Sequence, residues 1–305
     1  MPDANRETFE DLRPLLFSIA YRMLASVSDA EDIVQDAFIR YQRALAEGVA
    51  VESTKAYLAA MVTRLAIDQI RSARVRRETY VGQWLPEPMV TEQNDPSSES
   101  EHAESISMAF LLLVQRLQPL ERAVFLLHDV FNYSHGEIAA MLGKTEVHCR
   151  QMALRARRRI EAGRPRLEPR APSRDDLARR FFDAMKQGDV NLLMQVVAPE
   201  VMVFGDGGGK APQWSQPIAG RDRVAQLLAG VGARLVQLGA QLELREINGQ
   251  PGAMVFDSRH RLINVFALDV SDGAVQAVRS VINPDKLRHL GPVADLRTLL
   301  RPPGR

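Results

Sequence analysis

The sequence predicts a multidomain chain in which two all-α helical modules, the second carrying a helix-turn-helix, are followed by an α+β module. Three observations lead there. Apolar residues recur at helical spacing in blocks between Leu12 and Ile160, a Pro/Ser/Glu-rich stretch interrupts those blocks, and beyond residue 200 the apolar period changes to two. A length of 305 residues leaves room for two or three separate cores.

Leu12, Leu15, Leu16, Ile19, Met23 and Leu24 mark a first helix, with Pro14 early enough for a first turn. Ser28 and Glu31 read as a capping box opening a second helix, which buries Ile33, Val34, Ala37, Phe38, Tyr41 and Leu45 and ends at Gly48. Ser53 or Thr54 caps a third, with Leu58, Met61, Val62, Leu65 and Ile70 inward. Residues 81–104 combine prolines, serines and six acids with few apolar residues, so they read as an acidic flexible linker. Helical spacing resumes over Ile106–Leu117 and Leu120–Val130. Ser134 and Glu137 form a second capping box, Gly143 ends that short helix, and Thr145 caps a last one running through Ile160. Pro165, Pro169 and Pro172 mark a second boundary. Past it come a helix over Asp175–Lys186, a short one near 190–197, and the β-prone runs VMVF, AQLELREI, GAMVFDS, RLINVFALDV and AVQAVRSVI. These predict helices packed on one face of a curved antiparallel sheet.

Composition narrows the function. A single cysteine, Cys149, excludes an intrachain disulfide and a thiolate metal cluster, and no metal-ligand spacing appears among the histidines. The absence of an apolar N-terminal run and of a spanning-length apolar stretch predicts a cytoplasmic protein with no membrane association. A net charge of +1 hides uneven blocks: Asp29, Glu31, Asp32 and Asp36 stand without a base, whereas residues 55–77 hold six bases against Asp68, and residues 150–170 hold eight arginines against two acids.

Within 134–160 a capped helix, a Gly turn and an arginine-rich helix reproduce the layout of a DNA-reading helix-turn-helix. Cys149, Ala153, Ala156 and Ile160 seat the second helix, while His148, Gln151, Arg155 and Arg158 lie outside with Arg150 at the edge, placed to bind DNA.

The stretches AYRMLASVSDAEDIVQDAF, YLAAMVTRLAIDQIRS and ERAVFLLHDVFNYSHGEIAAMLG resemble the extracytoplasmic-function bacterial RNA polymerase sigma factors. That resemblance implies that Asp29, Asp32, Gln35 and Asp36 face the β′ clamp helices of core RNA polymerase. It also implies that Glu52–Lys55, Arg64, Asp68, Arg71 and Arg74 bind the −10 element as locally melted DNA, and that the helix-turn-helix binds the double-stranded −35 element. Arg64, Asp68 and Arg71 are spaced equally well for an intrahelical charge network. WLPEP, DGGGK and NPDKL further resemble the subgroup with a fused C-terminal SnoaL-like domain, a cone-shaped α+β fold. By that resemblance Trp84, Leu85, Pro86, Asp206, Gly207, Gly208, Asn283, Pro284, Asp285 and Lys286 form an interdomain regulatory surface. The domain expectation is then a sigma-2-like module over 1–80, the linker over 81–104, a sigma-4-like module over 105–165, a linker over 166–174 and the cone over 175–305.

The expected function is promoter selection regulated in cis, with no catalysis and no cofactor, and with a small ligand for the cone left open. The alternative is a one-component regulator whose cone senses a ligand; residues 1–80 discriminate, since such a regulator does not need DAEDIVQDAF ahead of a basic helix. Asp206, Asp257, Asp269 and His260 are the acid–base groups an enzyme would draw on, although no pair of them can be positioned from sequence.

Overall fold

In a computed structural model of the chain, residues 9–78, 80–91, 105–163 and 172–296 are described, with backbone alone at 73–78 and 172. They form two compact units: one from residues up to 78 and from 110 to 164, the other from 79–109 and the chain beyond 164.

The first unit is helical. α1 (Phe9–Leu24), α2 (Val27–Ala46) and α3 (Thr54–Glu78) pack through Leu16, Ile19, Ala30, Val34, Leu58 and Val62, all buried. Pro14 falls in the second turn of α1, on its exposed side, where water reaches the backbone that lacks its N–H partner. α2 starts earlier than its expected capping box. Ala25 turns the chain at φ 56°, Ser26 is the N-cap, and its hydroxyl accepts from the Asp29 N–H at 3.1 Å, so Ser28 lies inside the first turn. α4 (Met108–Val114) spans the unit boundary, and α5 (Pro119–Phe125) runs into a π-helical turn at Leu126–Val130. α6 (His135–Leu142) and α7 (Glu146–Glu161) complete the helix-turn-helix. The Ser134–Glu137 capping box opens α6, Gly143 ends it at φ 63°, and Thr145 caps α7.

Arg122 joins the helical layers. Its guanidinium is buried and donates to the carbonyls of Met23 at 2.6 Å, Gln115 at 2.9 Å and Leu117 at 3.4 Å, and to the Gln115 side chain at 3.0 Å. Those carbonyls sit at the C-terminal ends of α1 and of the turn after α4, where helices leave acceptors unpaired and a positive charge is favourable.

The second unit contains α8 (Pro172–Gln187), α9 (Val190–Val196), β1 (Val197–Asp206), β2 (Ile218–Ala219), α10 (Arg221–Gln237), β3 (Gln241–Ile247), β4 (Gln250–Phe256), β5 (Leu262–Ser271) and β6 (Ala274–Val281). The sheet order is β2-β1-β6-β5-β4-β3. The expectation of an antiparallel sheet holds for every pair except β1–β6, which is parallel and is joined through α10 and the four strands β2–β5. Phe181, Met185, Leu193, Leu228, Val203, Phe266 and Val278 form its core. Sequence reading missed α10, although Val224, Leu228, Val231 and Leu235 keep helical spacing; Gly230 and Gly232 break the pattern. Gly232 is required by packing, since a Cβ there would lie 1.7 Å from the Met185 carbonyl oxygen.

The expected flexible linker over 81–104 is corrected for its first half. Residues 80–91 are bound to the second unit, with Val90 bridging Ile247, the Thr91 N–H on the Glu246 carbonyl at 3.0 Å, and the Asn248 amide bonded to Met89 N–H and the Ile106 carbonyl, both at 2.9 Å. Residues 105–109 likewise belong there rather than to the helix-turn-helix module. The physical reason lies in Leu85 and its neighbours, which are apolar enough to be buried. Residues 92–104 and 164–171 lie outside the described residues.

Replacing Arg122 with Met is expected to destabilise the helical unit by about 3 kcal/mol, the cost of stranding buried acceptors. Both tryptophans, Trp84 and Trp214, belong to the second unit. Urea titration should therefore show an earlier helical circular-dichroism transition with an unchanged tryptophan-fluorescence transition.

Candidate nucleic-acid interface and linker clamp

On α2, Asp32, Gln35 and Asp36 are exposed and Asp29 is half-buried. Asp36 pairs with Arg40 at 3.3 Å, and Asp29 accepts from the Gln69 amide at 3.3 Å. Asp32 thus offers an unscreened carboxylate at the centre of an acidic stripe, with helical spacing to Gln35 and Asp36.

On α3, Lys55, Arg64, Asp68 and Arg71 are exposed. They do not act as one surface in this arrangement. Arg64 Nε donates to the Met141 carbonyl of α6 at 2.7 Å, tying α3 to the end of the first helix-turn-helix element. Asp68 and Arg71 pair loosely at 3.7 Å, both more than half exposed, an interaction worth at most a few tenths of a kcal/mol. The side chain of Arg74 is outside the described residues.

α7 is seated by Cys149, Met152, Ala153, Ala156 and Ile160, all buried. Burial, with Glu146 adding to it, raises the Cys149 thiol above its ordinary range, so it behaves as a small apolar group. His148, Arg150, Gln151, Arg155 and Arg158 are all exposed. Their commitments differ. Arg150 pairs with Glu146 one turn earlier, whereas Arg155 Nε bonds Glu121 at 3.0 Å, and that carboxylate, held also by Arg159, is largely buried. Arg155 therefore has a packing role within the unit that His148, Gln151 and Arg158 are not assigned. Beside them, the rings of His128 and His135 meet in a tilted contact, centroids 4.0 Å apart, and burial together with His128, Arg150 and Arg157 lowers the His135 pKa.

The second unit holds a buried polar cluster. The Lys286 ammonium donates to Asp206 Oδ2 at 2.7 Å and to the Leu85 carbonyl, and it lies over the rings of Trp84 (4.3 Å) and Tyr80 (4.9 Å). Asp206 Oδ2 also accepts the Leu85 N–H at 2.8 Å, while Oδ1 accepts the Tyr80 hydroxyl. Asn283 Nδ2 donates to the Tyr80 oxygen at 2.8 Å, and Asn283 Oδ1 caps the turn Pro284–Lys286 through the Asp285 N–H. Burial, reinforced by Asp206, holds the Tyr80 phenol well above its ordinary pKa. Gly208, at φ 58°, lets the loop pass so near Asn283 that a Cβ would lie 2.2 Å from its amide nitrogen. The Gly207 carbonyl accepts the N–H groups of Lys210 and Ala211, at 2.9 and 3.0 Å, and Lys210 pairs with Asp285. Pro86 is buried and the next carbonyl but one, Pro88, accepts from His289 Nε2 at 2.8 Å. The structure thus brings Trp84, Leu85, Asp206, Gly208, Asn283 and Lys286 together. Tyr80, four residues before Trp84, is the participant that sequence reading missed; an aromatic ahead of an apolar WLPEP was its only signal.

The other two candidate acid–base carboxylates of the module, Asp257 and Asp269, are committed elsewhere. Asp269 forms a buried pair with Arg279, and Asp257 accepts from Arg261 Nε at 2.8 Å and from the backbone N–H groups of Arg259 and Arg261. Burial alone would raise the Asp257 pKa, but those bonds outweigh it and lower it. His260 stacks on Phe256. Asp206, Asp257, Asp269 and His260 form no acid–base pair with one another. Among the described residues no cluster of three or more His, Cys, Asp or Glu has metal-binding geometry, and no helix is long and apolar enough to cross a membrane.

Comparison with known proteins gives two family matches: Sigma-70 region 2 over residues 8–76 and Sigma-70, region 4 over residues 107–160. Over 291 residues the chain is 37% identical to the ECF RNA polymerase sigma factor SigJ of Mycobacterium tuberculosis strain H37Rv, covering 91% of each chain. It is 29% identical over 277 residues to the probable ECF RNA polymerase sigma factor SigI of M. tuberculosis strain CDC 1551, covering 90% of this chain and 92% of that one. The crystal structure of the M. tuberculosis sigma factor SigJ aligns with a TM-score of 0.72 at 33% identity, over 94% of this chain and 99% of that chain.

Lys286→Met keeps the length of the side chain but removes the ammonium that joins Asp206 to the Leu85 carbonyl. Hydrogen exchange of residues 80–91 should then accelerate at least tenfold at the Leu85 amide, with the core of β5 unchanged; equal protection in both proteins would show that apolar packing alone holds the segment.

Proposed function

The chain belongs to the extracytoplasmic-function RNA polymerase sigma factors, and from that premise we propose that its helical unit binds core polymerase and promoter DNA while the SnoaL-like module regulates it in cis. What carries the first half is the order of elements: an acidic α2, a basic α3 and a helix-turn-helix with an exposed cationic face, in a chain 37% identical to an established sigma factor over 91% of its length. Asp29, Asp32, Gln35 and Asp36 then meet the β′ clamp helices of the polymerase. Lys55, Arg64, Asp68, Arg71 and Arg74 meet the −10 element, and α7 meets the −35 element. The work is done in the cytoplasm and is recognition throughout, since no step of it calls on an acid–base pair or a cofactor.

The second half is supported by the clamp on residues 80–91. These residues separate the two promoter-reading modules, and their anchoring limits the tether. With 80–91 and 105–109 both held in the second unit, the stretch 79–109 no longer acts as a free chain with an extended reach of about 105 Å. Regulation in cis is then control of the distance over which the two modules can be placed on DNA. A ligand of the cone would act through the same segment.

Two outcomes test this reading. Reversing charge with Asp32→Arg and Asp36→Arg should weaken core polymerase binding about tenfold or more in a pull-down with purified core enzyme, with the fold intact by circular dichroism. In transcription in vitro from templates that differ in the spacing of the two promoter elements, Lys286→Met should broaden the range of spacings tolerated. An unchanged spacing profile, with the clamp shown to be open, would remove regulation through tether length.

A further inference from the structure

The outward pole of α7 carries an unexplained apolar residue. The buried face runs through Cys149, Ala153, Ala156 and Ile160, and the residues half a turn away are Val147, Gln151, Leu154 and Arg158, at i, i+4, i+7 and i+11. Val147 is 64% exposed and Leu154 51%, on a helix whose other outward residues are polar or charged. Val147 occupies the second position after the Thr145 cap, in the turn whose residues reach base edges when a helix of this kind enters the major groove. An apolar group there has one counterpart on a base edge, the C5-methyl of thymine. Gln151, one turn on and on the same pole, has the matching counterpart in adenine, whose N6 and N7 it can bond together.

We propose that Val147 is a specificity-determining residue that reads a thymine methyl in the −35 element, beside an adenine read by Gln151. The inference rests on the assignment of α7 to that element and deepens it. DNA is favoured over a protein partner by the company Val147 keeps: Arg158 lies in the stripe and Arg150 flanks it, Arg157 lies beside them, and Glu146 is already paired with Arg150. That is a field suited to phosphates on both sides of a groove. Leu154 lies about 10 Å further along the axis, away from the turn that enters the groove, and serves as the control.

The experiment uses the full chain bound to core polymerase. Its −35 element is first defined by selection from a random duplex library, and each thymine of that element is then replaced by deoxyuridine, which lacks only the methyl. One replacement should weaken binding of the parent about fourfold, the worth of one buried methyl. With Val147→Ala the thymine and uracil duplexes should bind alike, while Leu154→Ala should keep the parental preference. The proposal is overturned if no thymine in the element shows the effect, if Val147→Ala retains it, or if Val147→Ala instead weakens core polymerase binding on every template, which would make Val147 a protein-docking residue. If scrambling the whole −35 element leaves binding unchanged, the assignment of α7 itself fails, an outcome distinct from the loss of the methyl effect alone.

Discussion

The buried Asp206–Lys286 pair is the interaction on which the C-terminal module's relation to the rest of the chain depends. Removing an ammonium and a carboxylate from water costs several kcal/mol each, and their mutual attraction offsets this only where the remaining bonds are satisfied. Here most of the named completing groups lie outside the module's own sheet: the Leu85 N–H and carbonyl, the Tyr80 hydroxyl, and the Trp84 and Tyr80 rings all come from residues 80–91. Without that segment the ion pair would be only partly compensated. The α+β module is therefore discontinuous in sequence, and its stability and the position of the segment are one thermodynamic quantity.

The same chemistry recurs in the helical unit with a different result. Arg122 is buried like Lys286, and its guanidinium closes the carbonyl ends of two helical segments. A planar guanidinium with five donors suits several divergent carbonyls, whereas a compact ammonium suits one carboxylate, one carbonyl and two ring faces. Each cation holds together elements distant in sequence.

Helix periodicity and caps made most of the helical unit legible, because capping boxes and left-handed glycines are local and survive without tertiary context. Ser26 was missed because Ser28 and Glu31 satisfy the same local pattern, and the choice was made by the turn at Ala25, which no residue type announces. α10 was obscured by Gly230 and Gly232, of which Gly232 answers to the close approach of a neighbouring helix and not to its own. The segment 80–91 was misjudged in the opposite sense: its polar, proline-rich continuation dominated the composition, while Tyr80, Trp84 and Leu85 carried enough apolar surface to be ordered. Among the candidate residues, outward position on a helix could be read from spacing. Engagement could not: nothing local to α7 or α3 says that Arg155 is held by Glu121 or that Arg64 reaches the Met141 carbonyl, 77 residues away.

Those last contacts bear on how the molecule works. Elements whose names place them some 25 base pairs apart are separated by about 85 Å along B-form DNA. A compact unit of about 130 residues has a radius of gyration near 14 Å and is under half that distance across. Arg64 on Met141 and Arg122 on Met23 keep α3 and the helix-turn-helix within one such unit. The two modules therefore cannot read both elements while these contacts persist. Under the proposed assignment of Arg64 to the −10 element, its side chain cannot bond α6 and face that strand at once, so opening the unit would free the group that the assignment requires. Binding of core polymerase and promoter must then supply at least the free energy of those contacts.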